Sequence, residues 1–133
     1  MEVKKVGHVG VAAKDAKAMV DFFTKELGGT LISSEEEASQ QLISHMVSFG
    51  DCCLEIMETT TPDGVIGKFI EKRGAGLHHI SLKVREIEGF AEKLEASGVR
   101  IIGKNFADPD LKYMFIDPRS TGGVLVEMVE SKN

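Results

Sequence analysis

The 133-residue chain has no tryptophan, one tyrosine, three prolines and two cysteines. The cysteines, Cys52 and Cys53, are adjacent. On a strand such neighbours point to opposite faces and do not readily bridge, so a disulfide framework is excluded. No apolar run approaches the ~20 residues needed to span a bilayer. The opening stretch MEVKKVGHVG lacks the long apolar segment of a secretory signal and enters a strand pattern at once, so the expected location is cytoplasmic. A net charge of −5 and the lack of a long basic cluster argue against nucleic-acid binding. Aromatic content of 6% gives no interface signal. With 42% apolar and 28% charged residues, the composition is that of a soluble globular chain, expected to form one domain over residues 1–133. A chain of this length buries about two-thirds of its unfolded surface.

What the chain does contain is an internal repeat. The stretch from His8 to Gly28 (HVGVAAKDAKAMVDFFTKELG) lies over the stretch from His79 to Gly98 (HISLKVREIEGFAEKLEASG). Each opens with a histidine on an alternating apolar run, crosses acidic residues, continues at helical spacing and ends in glycine. Each half closes on a strand-like segment with one glutamate, CLEIM around Glu55 and VLVEM around Glu127. The spacings match, at 47 residues (8 to 55) and 48 residues (79 to 127). Two imidazoles and two carboxylates in equivalent positions suit a divalent metal if the halves pack about a pseudo-two-fold axis.

The spacing predicts β-α-β-β-β in each half. Residues 3–12 alternate as a strand, with Val9 and Val11 on one face and His8, Gly10 and Ala12 on the other. Asp15 is placed to cap a helix bearing Ala18, Met19, Phe22, Phe23 and Leu27, stopped by Gly28-Gly29. A short strand over 30–34 and an acidic turn over Glu35 to Ala38 are expected next. A hairpin follows over 41–49 and 51–58, turning at Gly50-Asp51. The first module thus covers about 1–58, and a linker with a short helix about 59–75. The second module, about 76–133, has a strand over 77–84, a helix over 86–96 and strands near 99–103, 112–116 and 123–130.

Alternation also separates His78 from His79. Ile80, Leu82 and Val84 share a face with His78, and that face is expected under the helix, which makes His78 structural. His79 points the other way and aligns with His8. Cys53 shares a strand face with Glu55, but both cysteines are read as small buried hydrophobes rather than ligands.

The segments GHVGVAAKD, FGDCCLEIM, PDGVIGKFIEKRGAGLHHISLKV and FIDPRSTGGVLVEM resemble methylmalonyl-CoA epimerases. These belong to the vicinal-oxygen-chelate superfamily, which includes glyoxalase I. The resemblance covers nearly the whole chain and implies an α+β fold: paired β-α-β-β-β modules forming a cup-shaped, mainly antiparallel sheet with a metal inside. It implies His8, Glu55, His79 and Glu127 as metal ligands, the residues already singled out by the repeat. Glu55 stands where the family often has glutamine. Cobalt is the favoured ion, with nickel, manganese, magnesium or zinc as alternatives, and a homodimer is implied.

The implied reaction is epimerisation of 2-methylmalonyl-CoA through a metal-stabilised enolate, with two acid/base groups flanking the α-carbon. Glu127 resembles the metal-bound glutamate that is one of them. Ser44 stands at the position of the family's second base, a departure from the pattern. His45 is adjacent but is expected to face the other way in a regular strand, and Glu35, Glu36 and Glu37 fall too early unless the chain folds back. Ser120 and Thr121, with Arg119, are candidates to hold the substrate carboxylate in an anion-binding turn. Lys68, Lys72 and Arg73 are candidates for coenzyme A phosphates, with solvated surface charge as the plainer reading. Two alternatives remain open: a glyoxalase I-type lactoylglutathione lyase, and a non-catalytic ligand-binding protein of the same fold.

Overall fold

The computed structural model describes residues 1–132. Eight strands are hydrogen-bonded into one mixed sheet in the order β2-β3-β4-β1-β5-β8-β7-β6. Packing divides the chain into two units, one of Met1–Gly7 with the residues from His79 onward, the other His8–His78. Strands β1 (Glu2–Ala12) and β5 (Gly76–Arg85) each contribute to both.

In the unit His8–His78, the later part of β1 runs parallel to β4 (Cys53–Thr59), from His8 opposite Cys53 to Ala12 opposite Met57. Strand β3 (Leu42–Ser48) pairs antiparallel with β4 and with β2 (Thr30–Glu37). Helix α1 (Ala16–Asp21) starts where Asp15 accepts a hydrogen bond from the Ala18 amide at 3.0 Å. It continues as a π-helical turn over Phe22–Glu26 and stops at Gly28, whose φ of 82° favours a residue without Cβ. Its apolar stripe, Ala16, Met19, Val20 and Phe23, packs on Ala13, Val47, Leu54 and Ile56. Helix α2 (Val65–Arg73) packs Ile66, Phe69 and Ile70 against Ala12, Leu42 and Met57.

Strand β2 extends through Glu37, whereas the acidic run was expected to turn. Being first in the strand order, β2 has an unpaired edge, where charged side chains stay solvated and discourage edge-to-edge pairing. The reversal comes later, in a 3₁₀ turn over Ala38–Gln40, with Gln41 left-handed at φ 57°.

In the other unit, β5 runs parallel to β8 (Leu125–Ser131). Antiparallel pairing then continues to β7 (Leu111–Ile116) and β6 (Ile101–Asn105). Helix α3 (Ile87–Ala96) covers a core of Val84, Ile87, Ala91, Met114, Val126 and Met128, with Ile80 and Leu82 packed against it. The Glu130 carboxylate on β8 caps this helix, accepting from the Glu86 and Ile87 amides at 3.2 and 3.0 Å. A one-turn helix α4 (Pro118–Thr121) precedes β8. The β-α-β-β-β order therefore occurs twice, as the repeat predicts. Among the described residues no helix is long and apolar enough to cross a membrane.

Candidate functional site

Strand alternation decides which side chains meet. On β1 and β4, the registers His8–Cys53, Gly10–Glu55 and Ala12–Met57 put these residues on one face. Leu54 and Ile56 lie on the other, against α1. On β5 the same logic separates His79 and Ser81 from Ile80 and Leu82, which pack toward α3. Glu127 lies opposite Ser81 on β5 and Phe115 on β7, whereas its neighbours Val126 and Met128 enter the α3-covered core.

His8, Glu55 and His79 each offer a ligand atom, and these atoms all lie within 4.8 Å of one another. Donors bound at about 2.0–2.2 Å to a common transition ion sit within about 4.4 Å of each other, so this set fits a divalent ion with small adjustments. His8 Nε2 is 3.5 Å from Glu55 Oε1, and both side chains are largely buried. His79 is 7% exposed.

His78 stacks edge-on against Phe69 of α2, with ring centroids 4.7 Å apart. Burial lowers its pKa, and the nearby Glu55 charge partly offsets that effect. A neutral ring wedged against an aromatic suits a structural histidine. The expected neighbour was different, however: α2 rather than α3 supplies its contact.

Ser44 is buried, and its Oγ donates a 2.7 Å hydrogen bond to Glu55 Oε2. Its hydroxyl is therefore engaged with a carboxylate and carries no basic function. His45 is directed away from this face. Strand β3 is regular in its pairing with β4, so no bulge re-aims the ring; it lies opposite Ile56, with Nδ1 2.8 Å from Ser34 Oγ and Nε2 3.0 Å from Glu58 Oε1. It is a cross-strand tie, and its candidacy as a base falls.

Two carboxylates set aside in the sequence join the Ser44 face. Because β2 continues, Glu35 lies directly opposite Ser44 and Glu37 opposite Leu42, while Glu36 falls on the other face opposite Ile43. Burial raises the Glu37 pKa, and the charges of Glu55 and Glu35 raise it further.

The turn from Asp117 to Gly122 is closed on itself, contrary to the expectation of an open anion nest. Arg119 donates to the Asp117 carboxylate, with Nη2–Oδ2 at 2.8 Å, and Arg100 Nε lies 3.3 Å from the same oxygen. Ser120 Oγ accepts from the Arg100 amide at 3.0 Å. The Thr121 hydroxyl has the Pro118 and Val124 carbonyls as acceptors for its one proton and accepts from the Val124 amide. Hydrogen bonds from Arg119 hold the Asp117 pKa down at about 2. The turn braces β8 with the donors that had been assigned to substrate. Lys68, Lys72 and Arg73 are exposed on α2.

The sequence model of the glyoxalase/bleomycin resistance protein/dioxygenase superfamily matches residues 5–128. The chain belongs to this superfamily. It is 30% identical over 132 residues to the uncharacterized protein YqjC of Bacillus subtilis (strain 168), covering 98% of this chain and 94% of that protein. It is 26% identical over 136 residues to the mitochondrial methylmalonyl-CoA epimerase of Dictyostelium discoideum, covering 96% of this chain and 79% of that one. Among solved structures, a Streptomyces coelicolor methylmalonyl-CoA epimerase in complex with 2-nitronate-propionyl-CoA superposes with a TM-score of 0.87 at 26% identity, covering 99% of this chain and 100% of that chain. The eight-stranded mixed sheet is thus the glyoxalase fold, a fold shared by epimerases of acyl-CoA thioesters.

Proposed function

We propose that the protein epimerises 2-methylmalonyl-CoA, with His8, Glu55, His79 and Glu127 holding one divalent ion, cobalt being the first to supply. The observation that carries this reading is the close group of His8, Glu55 and His79, in a chain whose relatives include methylmalonyl-CoA epimerases. Bound there, a divalent ion would act as a Lewis acid toward the thioester carbonyl and favour the enolate.

The chain's own groups move the proton. Inversion requires a carboxylate that takes the α-proton from one face and a carboxylic acid that returns one to the other. Glu127 is assigned to the first role. Glu35, on the face of Ser44 and Glu55, is assigned to the second, in place of Ser44 and His45. Ser81, 2% exposed, lies opposite Glu127 on the neighbouring strand.

The test is deuterium wash-in: cobalt-supplemented protein is incubated with 2-methylmalonyl-CoA in heavy water, and α-exchange and racemisation are followed together. Both are expected. If neither occurs with any 2-alkylmalonyl-CoA, the epimerase reading fails and hemithioacetals become the substrates to try.

A further inference from the structure

Glu55 has two carboxylate oxygens, and the structure gives them different partners. Oε2 accepts from Ser44 Oγ at 2.7 Å, a short, charge-assisted bond. Oε1 faces His8 Nε2 at 3.5 Å. Ser44 is 6% exposed, so its hydroxyl needs a protein acceptor. Glu55 meets that need as its diagonal neighbour, since Met46 stands opposite Glu55 and Ser44 is two residues along the same face. The carboxylate is thereby pinned by one oxygen, and the other is presented beside the histidine.

We infer that Ser44 is a positioning residue for the metal centre: its hydroxyl holds Glu55 Oε2 and leaves Oε1 as the single ligand atom, fixing a one-oxygen mode of binding. This rests on the metal-site reading above. It also accounts for serine at a site where a proton carrier had been expected. A carboxylate at residue 44 would place a like charge against Glu55, whereas a hydroxyl offsets the Glu55 charge and orients it. Removing such an outer hydrogen bond lowers metal affinity by ~10–100-fold.

The experiment titrates cobalt into purified metal-free wild type, Ser44→Ala and Ser44→Thr, reading both the dissociation constant and the visible Co(II) absorption. Ser44→Ala is expected to bind ~10-fold or more weakly and to shift the visible bands as Glu55 becomes free to bind through both oxygens. Ser44→Thr retains the donor and is expected to stay near wild type in both readouts. Should Ser44→Ala fail to fold, Ser44→Cys replaces it, since a thiol is a weak donor of similar size; weak binding by Cys and normal binding by Thr is the expected pattern. Wild-type affinity and spectrum in the Ala variant, or in the Cys variant where Cys replaces it, overturn the role of Ser44 and leave the metal site standing. A wild type that binds no cobalt overturns the metal-site reading and this one with it.

Discussion

The hairpin β3-β4 and the hairpin β7-β8 occupy equivalent places in the repeat, yet their corresponding faces differ in chemistry. In the first, Glu55 sits with Ser44 and, through β2, with Glu35 and Glu37. In the second, Glu127 lies opposite Phe115, which meets Tyr113 edge-on at 6.2 Å. The first face is acidic and hydrogen-bonded; the second sets its glutamate opposite a phenylalanine. The shared features, a histidine on the leading strand and a glutamate on the closing strand, are those a metal requires. On the proposed reading, the diverged features would distinguish the two sides of the substrate, since inversion at carbon needs two unlike protonation states at once.

The largest expected effect tests the shared part. His8→Ala and His79→Ala should each lose bound metal and reduce turnover to background, because each removes a ligand from one half. His78→Ala, by contrast, should retain metal and lose about 1 kcal/mol of stability with the Phe69 contact. Elemental analysis and thermal melts of the three variants decide the matter. Equal metal loss in His78→Ala and His79→Ala would show that strand face does not separate them.

Next come the unlike carboxylates. Glu127→Gln keeps an oxygen donor but cannot accept a proton at neutral pH, so kcat should fall by ~10² or more with metal content held. On the other side, Glu35→Gln should lower kcat by about tenfold or more, whereas Glu36→Gln should leave it within roughly twofold. The two residues are adjacent on an exposed strand and differ mainly in face. Similar rates for both variants would remove β2 from the reaction and return the first hairpin to metal binding alone.

The repeat register and strand alternation made the close group of His8, Glu55 and His79 legible in sequence, because these residues lie on long periodic segments whose faces follow from parity. The double β-α-β-β-β order was legible for the same reason. Three features were not. The reach of β2 was hidden because three glutamates in succession, Glu35 to Glu37, look like a turn by composition, while an edge strand tolerates charge. The Ser44–Glu55 bond depends on a diagonal cross-strand contact, so it needs the register set by the Phe49–Cys52 turn, closed by the Phe49 amide on the Cys52 carbonyl at 3.0 Å. The closure of the Asp117 turn depends on Arg100, which arrives from beyond α3 and is remote in sequence.

The smallest expected effect separates the halves by pH. In the second half, Asp117 has its pKa lowered to about 2 by hydrogen bonds from Arg119, so its ionised form is favoured by folding. That contribution is present above the unfolded value near 3.8 and is lost as pH falls toward about 2. Asp117→Asn should therefore melt below wild type at pH 7, and the gap should close between about pH 4 and 2. In the first half the sign reverses. Glu37 is raised, by burial first and then by Glu55 and Glu35, so folding favours its protonated form. Its favourable contribution is present below the unfolded value near 4.5 and is lost as pH rises through the folded value, leaving an unfavourable charge at pH 7. Glu37→Gln, melted as metal-free protein in chelator, should then exceed wild type at pH 7 and lose that advantage on acidification. Exposure of Glu37 to solvent keeps this gain smaller than the Asp117 loss. Melts of both variants from pH 3 to 8 provide the measurement. Shifts of the same sign at pH 7 would mean that the acidic edge is not the strained counterpart of the braced turn, and the contrast between the two halves would rest on their ligand surroundings alone.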